Sequence, residues 1–192
     1  MGDVRAEISS EGVPRSAGLT AEIVQLLVSP VHRYVGRPGD GPARQVEGEI
    51  VDVMTIRAGL GIVGDRYFGK AAHRDASVTL MAAEGIPLGA DLRQTRRNVL
   101  LRGLPVDELI GAEISLDSGD GPVRLRFNRA ANPCAWMDVT IGPGALAALR
   151  GKGGVRATPL TDGVLRVGPV HVEVIRAGTA GEPPSSEIGN LA

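Results

Sequence analysis

Glycine and proline interrupt this chain so often that no long helix fits into it: 27 glycines and 13 prolines stand among 192 residues. Short elements joined by tight turns are favoured, and such chains are more often β than helical. Hydrophobic residues make up 43% but aromatics only 3%, so the core must be assembled from Val, Leu, Ile and Ala. The length suits one domain that buries enough apolar surface to fold without staples.

Charge narrows the choice of partner. There are 21 basic residues against 22 acidic ones, net −1, which gives no bulk reason to expect nucleic acid or an anionic membrane. A single cysteine, Cys134, rules out an internal disulfide and fits a reducing compartment. No apolar run is long enough to span a bilayer, and the first residues, Met1 to Glu7, lack the apolar stretch of a signal peptide. A cytoplasmic location is therefore expected. Residues 1–20 and 178–192 are polar and rich in Ser, Gly and Pro; they are expected to be flexible, leaving 21–177 as the folded unit.

Within that unit a period of two recurs. Glu22–Val28, Gly48–Arg57 and Ser77–Met81 read as strands. Val123, Leu125 and Phe127 alternate with Arg124, Arg126 and Asn128, which predicts a strand with a basic row on one face. Val170, Val172 and Val174 predict a last strand, fed by a hairpin over Leu165–Val170. Short helical pieces are expected in Ala82–Leu92 and Gly144–Arg150. A β-barrel or folded sheet follows, not a βαβ series.

Gly59-Leu60-Gly61-Ile62-Val63-Gly64 matches the dinucleotide fingerprint G-x-G-x-x-G. The fingerprint works only where the last glycine opens a helix facing the pyrophosphate. Asp65-Arg66-Tyr67-Phe68-Gly69 is too short for that helix, so these glycines are read as tight turns. His32, His73 and His171 show no metal spacing, and with one cysteine no zinc site of the usual kind is expected. His73, in a polar loop with Arg74 and Asp75, is the best placed histidine for function. Arg96-Arg97-Asn98, just before Val99-Leu100-Leu101, suits bidentate capture of a phosphate or carboxylate. Cys134 follows Pro133, which fixes the local backbone. On the residues alone it reads either as a small buried hydrophobe or as a reactive thiol, with Arg126, Arg129 and the Arg93/Arg96/Arg97 group available to make its setting electropositive.

In order and spacing these pieces resemble the MOSC domain, named after the C-terminal region of molybdenum-cofactor sulfurases, in its small stand-alone bacterial form. The residues that carry the resemblance are Gly61-Ile62-Val63-Gly64-Asp65-Arg66, His73, Val78-Thr79-Leu80 with Glu84, Arg97-Asn98, Gly103, Ile110-Gly111, Pro133-Cys134, Gly142-Pro143-Gly144 and Gly153-Gly154. The resemblance implies a mainly β, MOSC-like β-barrel with a few short helices. It implies that Cys134 carries sulfur as a persulfide or ligates molybdenum. It also implies that Arg97, with Arg96 and Asn98, holds the phosphate of a molybdenum cofactor (a molybdopterin), and that Asp65 and His73 act beside the thiol, Asp65 orienting His73 or bonding a ring N–H and His73 moving protons.

The function implied is that of a molybdenum-cofactor-binding or sulfur-carrier protein. Two alternatives accompany it: a molybdenum-dependent reductase of N-hydroxylated compounds served by a separate electron-donating reductase, and a cofactor-free small-molecule binder on the same fold. No PLP-dependent desulfurase domain is present, so sulfur would come from a partner such as a cysteine desulfurase. With no second cysteine, its release would be intermolecular.

Overall fold

The structure, a computed structural model, describes residues 18–178. The segments expected to be flexible lie outside these residues, apart from 18–20 and 178. The strands are, in order, β1 (Leu19–Leu27), β2 (Ile50–Val51), β3 (Val53–Arg57), β4 (Gly61–Ile62), β5 (Val78–Ala82) and β6 (Val99–Arg102). They continue with β7 (Glu113–Asp117), β8 (Pro122–Ala130), β9 (Val155–Pro159), β10 (Gly163–Arg166) and β11 (Gly168–Arg176). Three short α-helices, α1 (Leu92–Thr95), α2 (Trp136–Thr140) and α3 (Ala145–Ala148), complete the regular structure together with several 3-10 turns.

Seven strands close a barrel in the order β1-β6-β5-β9-β8-β7-β11, and β11 returns to pair with β1. Every pairing round it is antiparallel except that of β5 with β6. The mainly β barrel expected from the sequence is thus the fold observed. Ile23, Leu26, Val78, Leu80, Leu101, Ile114, Leu125 and Val155 point inward, and Phe127 is the largest side chain fully buried there. Burial on this scale contributes about 25 cal/mol for each Å² of apolar surface removed from water. A second sheet, β10-β3-β4, adds Met54, Ile56, Ile62 and Leu165 to the same core.

Several local expectations differ from what forms. The segment Gly48–Arg57 is split: β2 extends the barrel sheet beside β1, whereas β3 joins the small sheet. The hairpin expected over Leu165–Val170 does not exist, because β10 pairs with β3 and β11 with β7 and β1. Gly168, at φ 122°, allows the chain to leave one sheet for the other at that point. Only a 3-10 turn, Ala83–Gly85, forms at the start of Ala82–Leu92, and α1 begins where that segment ends. Asp91 caps α1 by accepting from the Arg93 amide at 2.7 Å.

A second apolar cluster lies outside the barrel wall. Leu27, Met81 and Leu100 meet Leu92, Trp136, Met137, Ala145 and Leu149 there, fixing the three helices against β1, β5 and β6. This packing places the Cys134 loop. Among the described residues no helix is long and apolar enough to cross a membrane.

Candidate functional site

Cys134 is exposed, in the segment that leaves β8 and enters α2. The thiol is therefore not the buried hydrophobe that was one of its two readings. Its loop is held on both sides. Upstream, Arg97 donates from Nη2 to the carbonyl of Ala131 at 2.6 Å and to that of Asn132 at 3.5 Å. The same guanidinium reaches Gly153 O from Nε at 2.8 Å and Thr95 O from Nη1 at 3.0 Å. Downstream, the Met137 amide donates to Cys134 O at 2.9 Å, and the Trp136 ring stacks on Tyr34 at 4.9 Å and 10°.

The crossing under the loop depends on glycine. Gly154 adopts φ 87°, its amide donates to Asp107 Oδ1 at 2.8 Å, and its carbonyl accepts from Ala131. A β-carbon there would collide with the carbonyl oxygen of Leu80. Gly153 faces Ala131 O and Pro133 with similarly little room.

The remaining site residues form a polar layer beside this loop. Asp65 is buried and accepts from the Ser29 amide at 3.3 Å, the Tyr67 amide at 3.0 Å, Asn98 Nδ2 at 3.3 Å and Arg66 Nη1 at 3.4 Å. Asn98 also donates to Leu27 O at 3.2 Å, while its Oδ1 accepts from the amide and hydroxyl of Thr79 at 3.0 and 2.7 Å. Arg96 adopts φ 56°, which turns its side chain inward to bond both oxygens of the buried Glu49 at 3.1 and 3.2 Å. It also donates to Ser29 Oγ at 2.7 Å and Val31 O at 3.2 Å, and the Ser29 hydroxyl donates to Glu49. Asn98 and Arg96 therefore spend their donors on the protein itself and act as scaffold.

Asp65 makes no hydrogen bond to His73, which was one of the two roles that the resemblance implied for it; its oxygens accept from Ser29, Arg66, Tyr67 and Asn98. The contact to His73 comes from Tyr67, whose ring lies 4.1 Å from the imidazole. His32 approaches the other side of Tyr67 edge-on at 6.3 Å. The structure thus gathers Asp65, Arg96, Asn98, Tyr67 and His73 on one side and Cys134 on the other, with Arg97 within electrostatic reach of both Arg66 and Cys134.

Charge is not balanced in this layer. Arg66 and Arg96 are paired with Asp65 and Glu49, whereas Arg97 and Arg156 make no close ion pair among the described residues, Asp107 acting on Arg97 only from further away. Burial, reinforced by Arg156, lowers Arg97 to about 10; it stays charged at neutral pH. Burial, then Arg66 and Arg96, push His32 below its ordinary value. Arg66 has only 11% of its side chain exposed, yet among the described residues its guanidinium makes one hydrogen bond, the long one to Asp65, and lies 4.6 Å from the Tyr67 ring centroid. Its remaining donors suit an anion.

Arg66 stands in the resembling segment without a role read from sequence, His32 is weighed there only as a metal ligand, and no local pattern singles out Tyr67, Glu49 or Arg156. The charged–aromatic triplet Asp65-Arg66-Tyr67 after a glycine turn is the one local signal that points to Arg66. Among the described residues no three of His, Cys, Asp and Glu gather where they could hold a metal ion.

Arg97→Ala is expected to lower stability by about 2–3 kcal/mol, since hydrogen bonds to a charged group contribute about 1.5–3 kcal/mol each and part is recovered by relieving burial. Faster hydrogen exchange at the Ala131 and Met137 amides, with the barrel amides unchanged, is the check.

Fold and site together define a closed β-barrel bearing an exposed thiol on a clamped loop beside an arginine-rich layer. Neither a family model nor a curated protein sequence matches the chain. Among solved structures it is similar to YuaD from Bacillus subtilis, with a TM-score of 0.62 and 16% identity over 83% of this chain and 98% of that one. YiiM from Geobacillus stearothermophilus superposes with a TM-score of 0.48 at 19% identity, covering 80% of this chain and 75% of that one. The likeness to YuaD shows a shared fold.

Proposed function

We propose that this protein is a MOSC-type sulfur carrier in which Cys134 accepts and passes on persulfide sulfur. The observation that carries the reading is the exposed thiol on a loop held by Arg97, a guanidinium that makes no close ion pair with a carboxylate among the described residues. Reactive thiolates require such an accessible, electropositive setting, and inert structural cysteines are buried away from one. The MOSC resemblance of the sequence supports the same assignment.

In the transfer step the Cys134 thiolate attacks the outer sulfur of a donor persulfide, R–S–SH. The new Sγ–S bond forms as the donor's S–S bond breaks, and the donor leaves as R–S⁻. The exchange is balanced without an added oxidant or reductant. Release reverses it toward an acceptor on another molecule.

The surplus of arginine favours a second reading at the same site, binding of the molybdenum cofactor. The donor set fits such a group: Cys134 offers one soft sulfur ligand, and Arg66 retains guanidinium donors for an anionic phosphate. Arg97 holds the loop and adds positive charge without offering its main donors. Once bound, the cofactor would supply two-electron redox and atom-transfer chemistry.

Elemental analysis and intact mass of protein purified without reductant from a molybdenum-replete host separate the two. A gain of about 32 Da, one sulfur, supports the carrier. Stoichiometric molybdenum supports the second reading, and an unmodified, unreactive, metal-free thiol rejects both.

A further inference from the structure

The outer wall of the barrel next to the Cys134 loop carries arginines that make no ion pair among the described residues, although Arg126 stands opposite Glu113 in the β7–β8 ladder. Arg126 and Arg129 project outward from β8, both exposed, and β8 runs directly into the loop bearing the thiol. On the neighbouring strand Arg156 stands directly opposite Arg129 in the β8–β9 ladder. Like charges placed opposite each other in a sheet are destabilising. Arg156 also lies near enough to act on Arg97. Arg74, on the turn packed against β9, is a further exposed arginine without an ion pair among the described residues.

Elsewhere on the barrel the arginines are matched: Arg57 with Asp162, Arg102 with Glu22, Arg124 with Glu113 and Arg166 with Asp120. Among the arginines of the described strands, those that make no ion pair, Arg126, Arg129 and Arg156, all lie on the adjacent β8 and β9, whereas Arg33, Arg37, Arg44 and Arg150 stand in loops elsewhere.

This wall is shaped as well as charged. Asn128 donates from Nδ2 to Asp75 O at 2.9 Å and to Thr158 Oγ1 at 2.8 Å, and Thr158 Oγ1 donates to Arg74 O at 3.2 Å. These bonds tie the turn to β8 and β9, and beside them a cleft of about 570 Å³ is lined by Asp75, Arg126, Asn128 and Arg129.

We infer that the Arg126–Arg129–Arg156 wall is the docking track for a partner protein that presents an acidic surface and exchanges sulfur with Cys134. The inference rests on the carrier reading in one respect: a chain with one cysteine must receive and surrender sulfur between molecules, so its thiol has to meet another protein's thiol repeatedly. Charge complementarity beside the thiol raises the encounter rate and sets the orientation without demanding a tight complex. An acidic protein fits this wall better than a nucleic acid does. The residues lining the cleft, Ala72, Asp75, Ala76, Arg126, Asn128 and Arg129, include no aromatic ring on which bases could stack.

The test uses the full chain carrying Cys134→Ser, so that binding is read without thiol chemistry. A fluorescein-labelled Glu-rich peptide is titrated by anisotropy, with a Lys-rich peptide and an oligothymidylate as comparisons. The Glu-rich peptide is expected to bind, to weaken about tenfold or more when Arg126→Glu and Arg129→Glu are added, and to be released at high salt. Arg126→Gln with Arg129→Gln should give an intermediate loss, which excludes a folding defect as the cause. Unchanged affinity in the Glu double variant would overturn the track. Tighter binding of the oligothymidylate than of the peptide, lost in the same variant, would overturn the acidic-protein partner in favour of nucleic acid. A Cys134 that never takes up sulfur in the mass measurement would reject the carrier reading while leaving the track's affinity as measured, so the two failures are distinguishable.

Discussion

Cys134→Ser is expected to abolish sulfur loading while leaving the protein folded. The mass gain of about 32 Da seen when the wild-type chain is incubated with a persulfidated cysteine desulfurase should vanish in the variant, because a hydroxyl at neutral pH neither attacks a persulfide nor holds a sulfane sulfur. Stability should change by less than about 0.5 kcal/mol, the usual range for an exposed side chain. The structure supports that expectation: the loop is held by the Arg97 bonds to Ala131 and Asn132 and by the Met137 amide, none of which involves the thiol. Intact mass and a denaturant titration, run side by side, check both halves. Retained loading in the serine variant would place the sulfur elsewhere and end the carrier reading.

The largest loss of stability is expected at a residue that touches no ligand. Glu49 is buried and accepts from Arg96 and Ser29. Glu49→Ala leaves the Arg96 guanidinium, itself only 6% exposed, without its counter-charge. Removing one partner of a buried ion pair costs about 3–5 kcal/mol, whereas replacing both with apolar groups is often neutral. The urea midpoint should therefore fall sharply in Glu49→Ala and recover in large part in Glu49→Leu combined with Arg96→Met. Sulfur loading by that double variant tests whether the pair only holds the fold. Arg96 also donates to Val31 O, next to His32, so a loading defect in a stable double variant would show that it positions the site as well.

Much of the barrel was legible because most of its strands bury one face. In β8 the inward Val123, Leu125 and Phe127 alternate with outward residues, and the pattern names the strand directly. β7 escaped notice for the opposite reason: Glu113, Ile114, Ser115 and Leu116 are all buried, so nothing alternates. Glu113 is accommodated only because Arg124 and Arg176 reach it from neighbouring strands. The false hairpin at Leu165–Val170 arose because a turn in sequence does not reveal which sheet each arm joins.

The site was legible as a set of residues and much less as a set of roles. Cys134, Asp65, Arg96, Arg97 and Asn98 do lie in one neighbourhood. Their roles depend on contacts that no local pattern encodes: Glu49 meets Arg96 across 47 residues of chain, and Ser29 meets Asp65 across 36. Double arginines before a strand suggested anion capture. Folding instead turned Arg96 inward and spent Arg97 on carbonyls, leaving Arg66 with free donors.

The pairing of β1 with β11, Leu19 opposite Val172, also sets the order in which this molecule can be made. On the ribosome β1 emerges early and, although β6 can pair with it midway, waits through the synthesis of nearly the whole domain before its other barrel neighbour, β11, exists. Until then one edge of β1 and one edge of β7 stay open, each able to recruit a strand from another chain. Closure is then a single late, non-local event of the kind that makes β topologies slow to fold. Yield in a cell should accordingly depend on how well the nascent chain is shielded during that wait, and a variant that weakens β11 should aggregate during synthesis before it shows any defect once folded.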